Sequence, residues 1–138
     1  VSKLYYLATV YTKHVGGAEM AFEEAAAITA SLASQNIVAF CPIAHSHPVA
    51  AFLPPELRFD HDFWVKMDAP LLERCDELIF VQMQNSGVSR GMAHERDVFE
   101  ALGRPIRYMP YDVYKAAVAG ESTILAKWVQ AELLGGAQ

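Results

Sequence analysis

Four short apolar runs, each separated from the next by a stretch long enough for a helix, limit what this chain can fold into. They are Lys3 to Thr9 (KLYYLAT), Ile37 to Cys41 (IVAFC), Glu77 to Met83 (ELIFVQM) and Pro105 to Met109 (PIRYM). Continuous apolar runs of this length suit strands buried on both faces. Between them the pattern turns helical. Ala18 to Ser34 carries one apolar face with acids near its start. A second helix is expected from about Asp60 to Cys75, with a break at Pro70. A third runs from about Met92 to Leu102, closed by Gly103. After the last strand come a short turn or helix (Tyr111 to Val118) and a helix from about Ser122 to Leu134, with Ser122 as its N-cap. This alternation predicts an α/β fold, a parallel sheet of four to five strands with helices on both faces. Right-handed crossovers give strand order 2-1-3-4, a flavodoxin-like three-layer arrangement. Its switch point lies between strands one and three, where the segments Tyr6 to Tyr11 and Ser86 to Glu95 meet.

One segment does not fit the alternation. From Pro42 to about Asp62 the chain reads as a long irregular stretch, and its Phe, Leu and Val content argues that it is packed. It holds His45, His47 and His61.

Length and charge narrow the class. A chain of 138 residues is expected to form one domain, 1–138. It is 53% apolar, with net charge -5 and no run of like charge, which argues against nucleic-acid binding through a basic face. No apolar stretch reaches membrane-spanning length, and the N-terminus shows no basic segment followed by an apolar signal core. Cys41 and Cys75 read as reduced core residues, so the expectation is a cytoplasmic protein.

The candidate chemistry gathers between Asp68 and Glu95. Glu95 follows a Gly-containing loop near a helix start and could act as nucleophile or base, or only as a dipole-stabilising surface acid. Asp68 could be a general acid or a substrate-orienting group, or the N-cap of Ala69 to Cys75. Two acids at one crevice suit glycosidic bond chemistry. The loop Ser86 to Gly91 could cradle an anion on its backbone N–H groups, with Ser89 and Arg90 adding direct contacts. It is neither a P-loop nor a dinucleotide fingerprint. His45 and His47 form an H-x-H pair. Zinc would need a third ligand such as Asp62 or His61, and the spacing matches no metal motif, so substrate contact or hydrogen bonding is the expected role. Tyr5, Tyr6, Tyr11, Phe63 and Trp64 could stack a flat base, with Tyr5 and Phe63 read as core.

The strand start Tyr6-Leu7-Ala8, the spacing from Asp68 to Cys75-Asp76 and the helix entry Gly91-Met-Ala-His-Glu95 resemble the nucleoside 2-deoxyribosyltransferase superfamily. The ordered pattern YLATVY, PIAHSHPVA, FWVKMD, LLERCDELIF, SGVSRGMAHE and LGRPIRY looks closest to a small bacterial family of unassigned function within it. The resemblance covers nearly the whole chain up to Tyr108. It implies a flavodoxin-like fold and cleavage or transfer at the N-glycosidic bond of a nucleoside or nucleotide, with no cofactor and no metal. By position, Glu95 is the nucleophile that forms a covalent glycosyl intermediate. Asp68 positions or protonates the substrate, and Tyr6 aligns nucleophile and sugar. Members acting on free nucleosides carry an Asp at the Ser89 position, and 5′-monophosphate N-glycosidases carry a Ser. Ser89 with Arg90 therefore implies a nucleoside 5′-monophosphate over a free nucleoside. Ser86 and Gly91 complete the anion loop, and His45, Trp64 and Asn85 are candidate base or sugar contacts.

The chain departs from the superfamily pattern at His94, where many members are apolar or aromatic. It departs again at Val10 and Thr12, where the hydrolases carry phosphate contacts. The resemblance also implies a homodimer or homotetramer. The apolar side of the last helix (Ile124, Leu125, Trp128, Val129, Leu133) could bury part of that interface, or simply pack on the sheet. Two rival readings are a non-catalytic nucleotide-binding module of the same fold and a metal-dependent hydrolase using His45 and His47.

Overall fold

The computed structural model describes residues 2–135. Its centre is strand β1 (Leu4–Ala8), hydrogen-bonded on one side to β2 (Val38–Phe40) and on the other to β3 (Glu77–Val81), which pairs in turn with β4 (Ile106–Met109). All pairs are parallel and the order is β2-β1-β3-β4, as expected from right-handed crossovers. Tyr6 lies opposite Phe40 and Leu78, in mid-sheet. Every residue of β3 is buried, which explains its unbroken apolar run. The one acid in it, Glu77, is tied to Lys3 at 2.6 Å and Arg107 at 3.0 Å.

Helix α1 (Ala18–Ser34) buries Ala21, Ala25, Ile28 and Leu32, a spacing of four, three and four that makes one stripe. After it, Asn36 takes a left-handed φ of 62° that returns the chain to the sheet. Helix α1 packs on α6 (Tyr111–Ala119), which packs on α7 (Ser122–Trp128). Tyr5 points to this layer and its hydroxyl donates to the Leu133 carbonyl at 3.4 Å. Tyr6 points the other way, where its ring meets Phe99 of α5 (Arg90–Leu102) at 6.4 Å. Beside α5 lies α4 (His61–Glu73). These are the three layers of a flavodoxin-like fold.

Five details differ from the sequence reading. Pro42 to Ala50 is a helix, α2, followed by a single turn, α3 (Pro55–Arg58). Pro42 occupies the first turn, where its missing N–H costs nothing, and Pro48 sits near the helix end. Pro70 lies inside α4 and does not interrupt it. The α4 cap is Asp60, which accepts from the Phe63 N–H at 3.0 Å, so Asp68 is no cap but a mid-helix residue. Helix α5 begins at Arg90, two residues early, because Ser89 caps it, and Glu95 therefore lies in the second turn. In α7 the cap is Glu121, whose carboxylate accepts from Thr123 and Ile124, and Ser122 is the first helical residue.

The apolar side of α7 and of the π turn that continues it (Val129–Leu133) is core. Leu125, Trp128, Val129 and Leu133 are buried in this chain, and only Ile124 is exposed. Cys41 and Cys75 are both free and buried. Among the described residues no helix is long and apolar enough to cross a membrane.

Candidate active site

A cavity of about 260 Å³ opens past the carboxyl ends of β1 and β3. This is the switch point of the sheet, where open α/β folds hold their ligands. Tyr6 forms part of its floor, α4 and α5 are two of its walls, and the loop after β1 supplies Thr9 to Lys13.

The two acids reach the cavity by helical spacing. On α5, Met92 and Phe99 are fully buried and flank Glu95 at three residues before and four after. Glu95 therefore stands on the inward stripe of α5, where an apolar residue would otherwise pack. On α4, Trp64, Asp68 and Leu72 lie four apart on one line, and Leu72 is buried at its inner end. Burial pushes Glu95 up to about 8, a hydrogen bond from Tyr6 would oppose that, and the charge of Asp68 adds to it. Burial also raises Asp68 to about 6, with His45 opposing.

Tyr6 completes the group. Its ring is fully buried against Phe40 and Phe99. Burial first, then the charges of Glu95 and Asp68, drive its ionisation far upward, so it remains a hydroxyl donor at any working pH. Among the described residues its hydroxyl is the buried side-chain polar atom without a hydrogen-bond partner. Such a group is costly to leave unsatisfied. Its place beside Glu95 and Asp68 makes it a donor waiting for a shift of the Glu95 carboxyl or for a ligand.

The opposite character gathers at the start of α5. The Ser89 oxygen accepts from the Met92 N–H at 3.3 Å, which leaves its own O–H free to donate. Arg90 and Lys13 line the cavity, and neither has an ion pair or a side-chain hydrogen bond among the described residues. A Cβ at Gly91 would meet nothing within 4 Å, so glycine here keeps space open at the helix start.

Not every expected residue joins the site. Tyr6, Trp64, Asp68, Ser89, Arg90, Gly91 and Glu95 line the cavity; Asn85, Ser86 and His45 do not. Asn85 adopts a left-handed φ of 69°, and its amide donates to the Lys13 carbonyl at 2.7 Å, so it joins two loops instead of touching a ligand. Ser86 opens a short 3-10 turn, Ser86–Val88. His45 rests on the Phe40 ring, 6.0 Å away. His47 lies between Tyr11, at 2.6 Å, and Glu19, at 3.0 Å. Two residues apart on a helix do not face each other, and α2 therefore separates the H-x-H pair that an irregular loop could have brought together. Among the described residues no group of three or more His, Cys, Asp or Glu is placed to hold a metal ion.

The cavity also recruits residues that motif reading missed. Lys13 and His94 line it, and His61, weighed only as a metal ligand, meets His94 edge to face at 6.4 Å. The available signal for Lys13 was its position in the loop that follows the first strand, at the switch point. The Trp64 N–H donates to the Arg58 carbonyl at 2.8 Å, which fixes the ring in the wall.

No curated protein matches this chain. Residues 3–111 match the family described as Domain of unknown function (DUF1937), a span that includes the whole sheet and every residue of the cavity. With most of its length in that match, the chain belongs to the DUF1937 family.

Proposed function

We propose that the protein cleaves or transfers the N-glycosidic bond of a nucleoside 5′-monophosphate or a nucleoside, the chemistry of the nucleoside 2-deoxyribosyltransferase superfamily that its sequence resembles. One observation carries this reading. Two carboxylates from facing helices, Glu95 and Asp68, flank a buried Tyr6 hydroxyl that has no partner of its own.

In the proposed mechanism the ionised Glu95 attacks the anomeric carbon, the bond to the base breaks and a glycosyl ester forms on Glu95. Tyr6 donates its O–H toward the carboxylate and aligns it. Asp68, on the same side, positions a sugar hydroxyl. Water or a second base then displaces the sugar, and Glu95 is restored. The 5′-phosphate is assigned to the start of α5, where the Ser89 hydroxyl, the first helical N–H groups, Arg90 and Lys13 offer donors and positive charge. A homodimer or homotetramer belongs to the same reading, but α7 cannot supply its apolar face, which the core of this chain already covers.

The proton inventory gives a test. Between about pH 6 and pH 8 the carboxyl pair holds one proton, and the nucleophile acts only once Glu95 has lost its own. The value of kcat/KM is expected to rise with pH across that window. Asp68→Asn removes a charge that opposes ionisation of Glu95, so it should move this limb to lower pH as well as slow the reaction. A limb that stays in place would contradict the coupling.

Gly91 separates binding from folding. A methyl group there meets open space, and alanine suits a helix better than glycine by about 0.5–1 kcal/mol. Gly91→Ala is expected to melt at or above the wild-type temperature while binding a nucleoside 5′-monophosphate more weakly by calorimetry. Unchanged affinity would move the phosphate elsewhere.

The reading itself is tested by free-base release. Ribo- and deoxyribonucleosides and their 5′-monophosphates are offered with and without an acceptor base, beside the Glu95→Gln protein. Release that vanishes in the variant is the expected result. Exchange seen only with acceptor makes the protein a transferase. Binding without release across the panel assigns the fold to a nucleotide-binding module.

A further inference from the structure

We propose that Tyr11, backed by His47 and Glu19, is the proton relay that serves the departing base across the cavity from Glu95. The inference rests on the glycosidic reading and assigns a role that the pair Glu95 and Asp68 leaves open.

Three side chains from three elements stand in a row. Tyr11, in the loop after β1, lines the cavity. Its hydroxyl lies 2.6 Å from Nδ1 of His47, in the last turn of α2. Nε2 of His47 lies 3.0 Å from Oε1 of Glu19, in the first turn of α1. The Glu19 side chain is 72% exposed, so the row runs from the cavity to water. The imidazole is held in place on both sides. It stacks on Phe22 at 4.8 Å and meets Tyr11 edge on at 5.7 Å.

The hydrogen-bond chemistry fixes two states of the row. A carboxylate only accepts, so Nε2 carries a hydrogen toward Glu19. In the neutral imidazole, Nδ1 then accepts the Tyr11 O–H. In the imidazolium, Nδ1–H donates to the Tyr11 oxygen. The Tyr11 O–H is then free to turn into the cavity. The same three residues can thus present a donor or an acceptor to a ligand.

The reaction needs both. In the first half, the electron pair of the C–N bond moves to the base nitrogen as Glu95 bonds to the anomeric carbon. The base takes the proton of Tyr11, and Tyr11 takes the proton from Nδ1 of His47. In the second half, water attacks the anomeric carbon and the electron pair of the ester bond returns to Glu95. The proton of the water passes to Tyr11, and that of Tyr11 to Nδ1. The row ends as it began, with no proton gained or lost.

In-line displacement places the leaving base on the side of the anomeric carbon away from the nucleophile. Asp68 acts on Glu95 and Tyr6, and so sits with the nucleophile. Tyr11 comes from the loop after β1, and its hydroxyl is hydrogen-bonded to His47 and not to that pair.

The test compares two leaving groups. A purine or pyrimidine must be protonated as it leaves; nitrophenolate needs no proton. Tyr11→Phe keeps the ring and removes the hydroxyl. It is expected to lower single-turnover base release from a nucleotide by about 100-fold or more, in the range general acids supply. The first-turnover burst of nitrophenolate from the matching nitrophenyl glycoside should stay within about threefold of wild type. His47→Gln should show the same contrast, less strongly. Equal losses on both substrates would reduce Tyr11 to a packing residue and overturn the relay, as would an unchanged rate on the nucleotide. A wild-type protein inactive on both substrates would instead overturn the glycosidic reading, and the relay with it.

Discussion

Replacing Glu95 with Gln is expected to stop base release and, at alkaline pH, to make the protein more stable. Under the proposed mechanism the first effect should be on the order of 10⁴-fold or more, because the amide cannot form the covalent ester. The second follows from burial. Glu95 is raised to about 8 in the folded protein, against an ordinary value of 4.5. Between those values the folded state keeps a proton that the unfolded chain gives up, so stability falls as pH rises through this window. Gln does not titrate. The two proteins should therefore be equally stable near pH 4, and the variant should gain about 2 kcal/mol by pH 9, a figure reduced because the cavity admits water. Urea unfolding at the two pH values measures the difference. A constant gap would mean that Glu95 is not held in a desolvated place.

The largest loss of stability is expected from Phe99→Ala. Phe99 is fully buried on the face of α5 that meets the sheet, and its ring is 6.4 Å from that of Tyr6. Removing a buried aromatic ring costs about 3–5 kcal/mol, a large part of the 5–15 kcal/mol that holds an ordinary domain together. Phe99→Leu should cost less, about 1–2 kcal/mol, because more of the volume is kept. Tyr6 loses one of its two ring neighbours in the alanine variant, so turnover should fall even at temperatures where that protein stays folded. Denaturant midpoints give the first effect and base release at low temperature the second.

The sheet was legible because its signal is simple. Four apolar runs and three long crossovers leave few arrangements of a parallel sheet, and the observed order is the one those rules select. The convergence of Tyr6, Asp68 and Glu95 on one cavity followed from the same topology, since two of their elements flank the switch point. The segment after β2 was not legible. Pro42 reads as the end of the second strand, yet it opens α2, where its missing N–H costs nothing, and Pro48 is carried inside the helix. That misreading carried over to the histidines. On a loop His45 and His47 could converge; on a helix they part, and His47 pairs with Tyr11 and Glu19. Asn85 and Ser86 sat in a loop that looked like a ligand cradle, but the cradle residues are those just after it. The Asn85 link to the Lys13 carbonyl lies 72 positions away along the chain, and no local pattern announces a contact of that span.

Helix α4 carries Asp68 and Trp64, yet Leu72 is its one buried residue among thirteen. A helix with one buried residue is expected to open at a fraction of the free energy that unfolds the whole chain, which hydrogen exchange of its amides would measure. When it lifts, water reaches Glu95, the desolvation that raised the acid is relieved, and the proton leaves. Seating of α4 and proton uptake by Glu95 are therefore two sides of one equilibrium. Low pH favours the closed wall and a protonated Glu95. High pH favours an ionised Glu95 and works against the enclosure around it. A ligand bridging α4 and α5 would resolve this conflict, because its own contacts would hold the wall shut over a charge that desolvation disfavours.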